Sequence, residues 1–186
     1  MDTSARMSPA TDPFDPEIQE ALGAVMRGAP PLLLFTTLAR DKRLFQKFFA
    51  GGLLDRGHLT LRQREIVIDR TTALCRTEYE WGVHVSVFAD AAGLTDEQIR
   101  SLTVGGADDS CWNAADADLI RMCDALHASA TLDDALWSRL RVHHTEEAML
   151  ELLLLAGFYR TTSYLVNALA LPLEPGTARF ADHGRA

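Results

Sequence analysis

The stretch "LTLRQREIVIDRTTALC" (59–75), continued by "RTEYEWGVHVSVFADAAG" (76–93), decides the fold. Thr60 is placed to cap a helix, and Gln63 follows at the three-residue spacing of a capping box. The pattern breaks near Cys75 to Thr77. Thr77 then caps a second helix, which Gly93 is expected to end. A short break between two helices turns the chain back, so the pair reads as an antiparallel hairpin.

The rest of the chain reads the same way. Pro16 opens "PEIQEALGAVM", with Ile18, Leu22 and Val25 at helical spacing. Pro30 and Pro31 open a further segment, and Gly51-Gly52 end the one after it. Thr95 and Gln98 repeat the capping-box spacing. Leu119, Met122, Cys123 and Leu126 form one stripe in residues 114–128, and "TLDDALWSRLRV" is a short amphipathic helix. "TEEAMLELLLLAGFYRTTSYLVNALA" is the longest helix, and its wide apolar run predicts a central position. No segment alternates with a period of two. The expected fold class is all-α: one helical bundle over 17–176, a flexible arm at 1–16 and a tail at 177–186.

The bulk properties fit one domain of 186 residues. A net charge of −8 disfavours phosphate backbones and anionic lipid, so no nucleic-acid or membrane partner is expected. Cys75, Cys111 and Cys123 are odd in number and form no C-x-x-C pair, which argues against a disulfide framework or a zinc site and suits a reducing cytoplasm. The N-terminus has no signal-peptide core, and "AMLELLLLAGF" (148–158) is too short to span a bilayer.

The chemistry concentrates in "CRTEYEWGVH" (75–84). Glu80 and His84 are four residues apart and share a helix face, with Cβ atoms roughly 6 Å apart. A carboxylate raises the histidine pKa while burial lowers it, and a balance near neutral suits proton transfer. Glu65 is a second carboxylate on the preceding helix: a hairpin turn near 72–73 sets it level with Glu80, and a turn near 76 places it deeper. Against this stands the plain reading of Glu65 as a first-turn surface residue, and of Glu80 and His84 as a solvated pair. A di-iron site needs Glu-x-x-His twice, and here Glu-x-x-x-His occurs once, so no metal is expected. His143-His144 with Glu146-Glu147 reads as a solvated capping segment. Tyr79, Trp81 and Phe88 read as core or as a substrate shelf, and Asn167 as a bridge between backbone groups.

Arg64-Glu65, "YEWGVH" (79–84) and "AGLTDEQI" (92–99) resemble the carboxymuconolactone decarboxylase family, which includes the alkylhydroperoxidase D proteins. "DALHASATLDDALWSRL" and "LVNALALPLEPG" resemble its later helices and ending, so the likeness runs over roughly 30–176. Redox members carry C-x-x-C-x-x-x-H with a glutamate twelve residues before the first cysteine. Counted back from His84, that glutamate is Glu65, while the cysteine positions hold Thr77 and Glu80. A thiol peroxidase needs a nucleophilic and a resolving thiol, and neither position supplies one. On a continuous helix Cys75 faces away from them.

The resemblance therefore implies an alkylhydroperoxidase D-like bundle forming a dimer, trimer or hexamer. The expected activity is cofactor-free acid–base chemistry on a small organic substrate: decarboxylation, lactone hydrolysis or isomerisation. Glu65, Glu80 and His84 are the expected catalytic residues, with Thr77 and Trp81 lining the substrate. The alternatives are a thiol-dependent peroxidase or disulfide reductase, and a non-catalytic ligand-binding module.

Overall fold

A computed structural model describes residues 5–53 and 55–184. These residues contain helices and no strand, so the fold is all-α. The helices are α1 (Pro16–Met26), α2 (Leu33–Leu38), α3 (Lys42–Gly51), α4 (Leu61–Leu74), α5 (Glu78–Phe88), α6 (Asp96–Val104), α7 (Ala114–Ser129), α8 (Asp134–His143) and α9 (Glu146–Ala168), followed by a 3-10 turn at Phe180–His183. None is long and apolar enough to cross a membrane. Both expected capping boxes are present, Thr60 with Gln63 at α4 and Thr95 with Gln98 at α6.

The central element is α4, not the longer and more apolar α9. It packs against α5, α6, α7 and α9, and every residue from Glu65 to Ala73 is buried. α9 keeps one face in solvent, exposing Leu150, Leu154 and Tyr164. Apolar width alone mis-ranks the two because the charged groups of α4 find partners inside the protein. Arg70 Nε lies 2.6 Å from Asp124 Oδ1, and its Nη1 donates to the carbonyls of Leu102 and Gly105, both at 3.0 Å. Arg62 pairs with Asp116 at 2.9 Å. A buried charge with a well-placed partner is tolerated where an orphan is not.

The α4–α5 hairpin closes through a Schellman motif: Thr77 N–H donates to Thr72 O (2.9 Å) and Arg76 N–H to Ala73 O (3.0 Å). Arg76 takes the left-handed conformation (φ 55°) usual for glycine at this position. α5 ends at Phe88, one turn before Gly93, and residues 89–93 form turns.

Successive residues of "EYEWG" fasten other segments to α5. Glu78 accepts from the backbone N–H of Phe180 at 2.9 Å. Tyr79 bonds Glu174, and its hydroxyl accepts from Leu34 N–H at 3.1 Å. Trp81 stacks on Phe180 and His183 with centroids 4.8 and 5.3 Å away. A Cβ at Gly82 would stand 2.5 Å from the carbonyl oxygen of Ala178, so only glycine admits so close a crossing. The N-terminal stretch is also pinned: Arg6 N–H donates to Leu169 O (2.8 Å) and Ala10 N–H to Thr36 O (2.9 Å).

Candidate active site

The hairpin brings Glu65 from α4 and Glu80 from α5 to opposite nitrogens of His84. Nδ1 of His84 is 2.8 Å from Glu65 Oε2, and Nε2 is 3.6 Å from Glu80 Oε1. Glu65, His84 and Glu80 retain 1%, 5% and 7% of their exposure, so Glu65 is the deepest, as a turn near 76 requires. They are neither surface residues nor a solvated pair. Tyr159 of α9 meets the imidazole edge-on at 5.0 Å, and Phe88 leans on it at 5.3 Å.

Burial is the largest influence on His84 and favours the neutral ring. The hydrogen bonds of Glu65 and then Glu80, with their charges, together outweigh it and push the pKa up to about 10. This corrects the expectation of a value near neutral. Two buried carboxylates face the ring, one at each nitrogen, where the sequence reading weighed one against burial. At neutral pH the ring is an imidazolium with a proton on each nitrogen, and it can give a proton more readily than take one.

Several buried polar atoms around this ring have no protein hydrogen bond: Glu65 Oε1, Glu80 Oε2 and both carboxyl oxygens of Asp69. Glu65 Oε1 has only an ion-pair contact with Arg64 Nε at 3.5 Å. Asp69 lies one turn after Glu65 on α4 and is 1% exposed. Burial first, and then the negative charge of Glu65, raise its pKa well above the carboxylate range, with His84 opposing. Asp69 and Tyr159 are the site residues that the sequence reading missed. The signal for Asp69 was a second carboxylate in "EIVIDR", four residues after a glutamate already singled out.

Thr77 is fully buried at the N-cap of α5, and its hydroxyl accepts from Asn167 Nδ2 at 3.1 Å. The same amide donates to the carbonyl of Cys75 at 3.0 Å, so Asn167 does bridge the hairpin turn to α9. Trp81 is fully buried, its ring turned to the C-terminal segment. Cys75 caps α4 inside the turn, so the continuous-helix expectation for it does not apply. Burial pushes the Cys123 thiol up to about 12, which makes it a poor nucleophile. His144 is buried with an unpartnered Nε2, not solvated as its neighbours suggested. No group of three His, Cys, Asp or Glu side chains among the described residues is arranged to hold a metal ion.

Residues 42–125 match the model of the Carboxymuconolactone decarboxylase family. No curated protein sequence matches the chain. Among solved structures it is similar to an uncharacterized peroxidase-related protein from Silicibacter sp. TM1040, at 16% identity and a TM-score of 0.79, covering 100% of this chain and 96% of that one. It is similar too to the alkylhydroperoxidase AhpD core of an uncharacterized peroxidase-related protein from Ralstonia eutropha JMP134, at 18% identity and 0.78, covering 91% and 93%. A third is the debrominase Bmp8, at 13% and 0.76, covering 91% and 92%. At such identities these structures speak for the fold alone. The matched segment spans both Glu65 and His84, and the chain has an alkylhydroperoxidase D-like fold.

Proposed function

We propose that the chain is an enzyme doing cofactor-free acid–base chemistry on a small organic substrate, with His84 as proton donor. The observation that carries this reading is the buried His84 ring held between Glu65 and Glu80. Glu65 holds Nδ1, and the Nε2 proton, which faces Glu80 at 3.6 Å, is the one passed to the substrate. Glu80 Oε2 has no hydrogen bond from the protein and is the acceptor. In decarboxylation, the electrons of the breaking C–C bond pass into the adjacent carbonyl as an enolate. His84 protonates the carbon, and carbon dioxide leaves. In lactone opening, Glu80 takes a proton from water as it attacks the carbonyl, and His84 protonates the departing alkoxide. Isomerisation uses the same two groups in sequence. Thr77, at the N-cap of α5, and Trp81, within it, are proposed to bound the substrate.

The test is a panel of β-keto acids and lactones assayed by carbon dioxide release and proton uptake. His84→Ala should lower the rate of any turned-over substrate by roughly 10²–10⁴. A variant as active as the parent overturns the assignment; binding without turnover favours the non-catalytic module.

Cys75, half-buried in the turn two residues before Thr77, is the one feature that favours a thiol peroxidase. Peroxide consumption with a dithiol reductant, lost in Cys75→Ser, would establish that reading; no consumption removes it.

We also infer a homo-oligomer in a reducing cytoplasm. The support is the apolar face that α9 exposes at Leu150 and Leu154, together with three unpaired cysteines. Light scattering on the intact protein should give a mass at least twice that of the chain.

A further inference from the structure

A cavity of about 170 Å³ opens between α4, α7 and α9, away from His84. Leu74, which lines it, follows Glu65 by nine residues. At 3.6 residues per turn that puts Leu74 on the opposite side of α4 from the catalytic carboxylate. The two sites thus share α4 and α9, but no residue that lines the cavity touches His84.

The cavity is mostly apolar, with Thr71 the one hydroxyl in its lining. Leu74, Leu126, Leu153 and Ala156 form its walls, and Arg160 and His127 its polar end. Arg160 Nε donates to the Tyr164 hydroxyl at 2.8 Å, and Nη1 lies 3.4 Å from His127 Nδ1 and 3.5 Å from its carbonyl. All these partners are neutral. Burial, and then the charge of Arg160, lower the pKa of His127, so its ring stays uncharged. The nearby acid, Asp124, is taken by Arg70 at 2.6 Å. Among the described residues Arg160 forms no ion pair, in a chain whose net charge is −8. A half-buried guanidinium that ends an apolar cavity is matched by a carboxylate on an apolar body. An apolar cavity of about 150 Å³ takes up benzene, so the volume here fits a ring or a short chain carrying one acid group.

We propose that this cavity is a second binding site, for a small apolar monocarboxylate whose acid group pairs with Arg160. The proposal does not depend on the chemistry assigned to His84.

Benzoate is the probe, titrated into the intact protein by calorimetry, with benzyl alcohol as its uncharged counterpart. Saturable binding with Kd of about 1 mM or tighter is expected. Arg160→Gln should weaken it about tenfold or more, and Arg160→Lys by less, because lysine keeps the charge and loses the fork. Leu153→Phe, which fills the cavity, should weaken it as well. His84→Ala should leave it unchanged, and benzyl alcohol should bind more weakly than benzoate. Thermal melts establish that each variant is folded. Benzoate that fails to saturate the parent protein overturns the proposal. So does equal binding to folded Arg160→Gln, or loss of binding in His84→Ala with binding kept in Arg160→Gln.

Discussion

Nδ1 of His84 and Oε2 of Glu65 stand 2.8 Å apart across the hairpin, although nineteen residues separate them in the chain. The pair is buried, and Glu80 faces the other ring nitrogen. An imidazolium held this way keeps its proton through the whole neutral range. The pH behaviour of the protein follows from that.

Turnover that needs the His84 proton should persist as pH rises past 6.5 and fall as pH passes about 10. The folded-state pKa lies above the unfolded value. The stability supplied by the pair is therefore fully present below about pH 6.5 and is lost as pH rises through about 10. Denaturant melts from pH 6 to pH 10.5 on the parent and on His84→Gln should diverge at the low end and converge at the high end.

Glu65→Gln removes the nearer carboxylate. The His84 pKa should then drop, and NMR titration of the ring protons reads this directly. Stability should fall by about 1–3 kcal/mol, the range for a buried partner left unpaired. Glu80→Gln should also lower the pKa, by less because its contact is longer, while removing the proposed base and with it most of the rate. A rate unaffected by Glu80→Gln would leave the proton acceptor elsewhere.

Asp69→Leu should stabilise the protein at pH 7, by about 1 kcal/mol or more, since an apolar group replaces a carboxyl with no hydrogen bond. Its folded-state pKa is raised. The folded protein therefore holds that proton more tightly, and the penalty of the native aspartate grows as pH rises above the unfolded value of about 3.9. The advantage of the leucine variant should shrink toward pH 4. A lower melting temperature at pH 7 would mean that the carboxyl has a partner essential to the fold.

Gly82→Ala sets a methyl group against the carbonyl of Ala178, at 2.5 Å before any relaxation. Residues 177–184 must lift from α5. A cost of about 1–3 kcal/mol is expected, as for other overpacked sites. Trp81 fluorescence should shift to the red, because Phe180 and His183 cover its ring.

The helices and the hairpin were legible because caps and periodicity are local. Thr60 with Gln63 and Thr95 with Gln98 mark their helix starts within four residues. Glu65, Glu80 and His84 were legible because a twelve-residue and a four-residue spacing survive in a chain that lacks the cysteines. The ranking of α4 and α9 was not, since the burial of Arg70 depends on Asp124 and on carbonyls from another helix. The pKa of His84 escaped as well: it depends on how many carboxylates reach one ring, which only the packed hairpin fixes. Within "EYEWG", Glu80 faces His84, while Glu78, Tyr79, Trp81 and Gly82 hold other segments in place.

Because α4 is enclosed by four neighbouring helices, the same nine residues carry the deep carboxylates Glu65 and Asp69 and the middle of the core. Laboratory evolution of this protein would meet a coupled problem there. Changes between Glu65 and Ala73 that retune reactivity would also alter melting behaviour, and libraries screened for activity alone would lose members to misfolding first. Diversity directed at the cavity end near Arg160 escapes that coupling and offers the safer ground for new specificity.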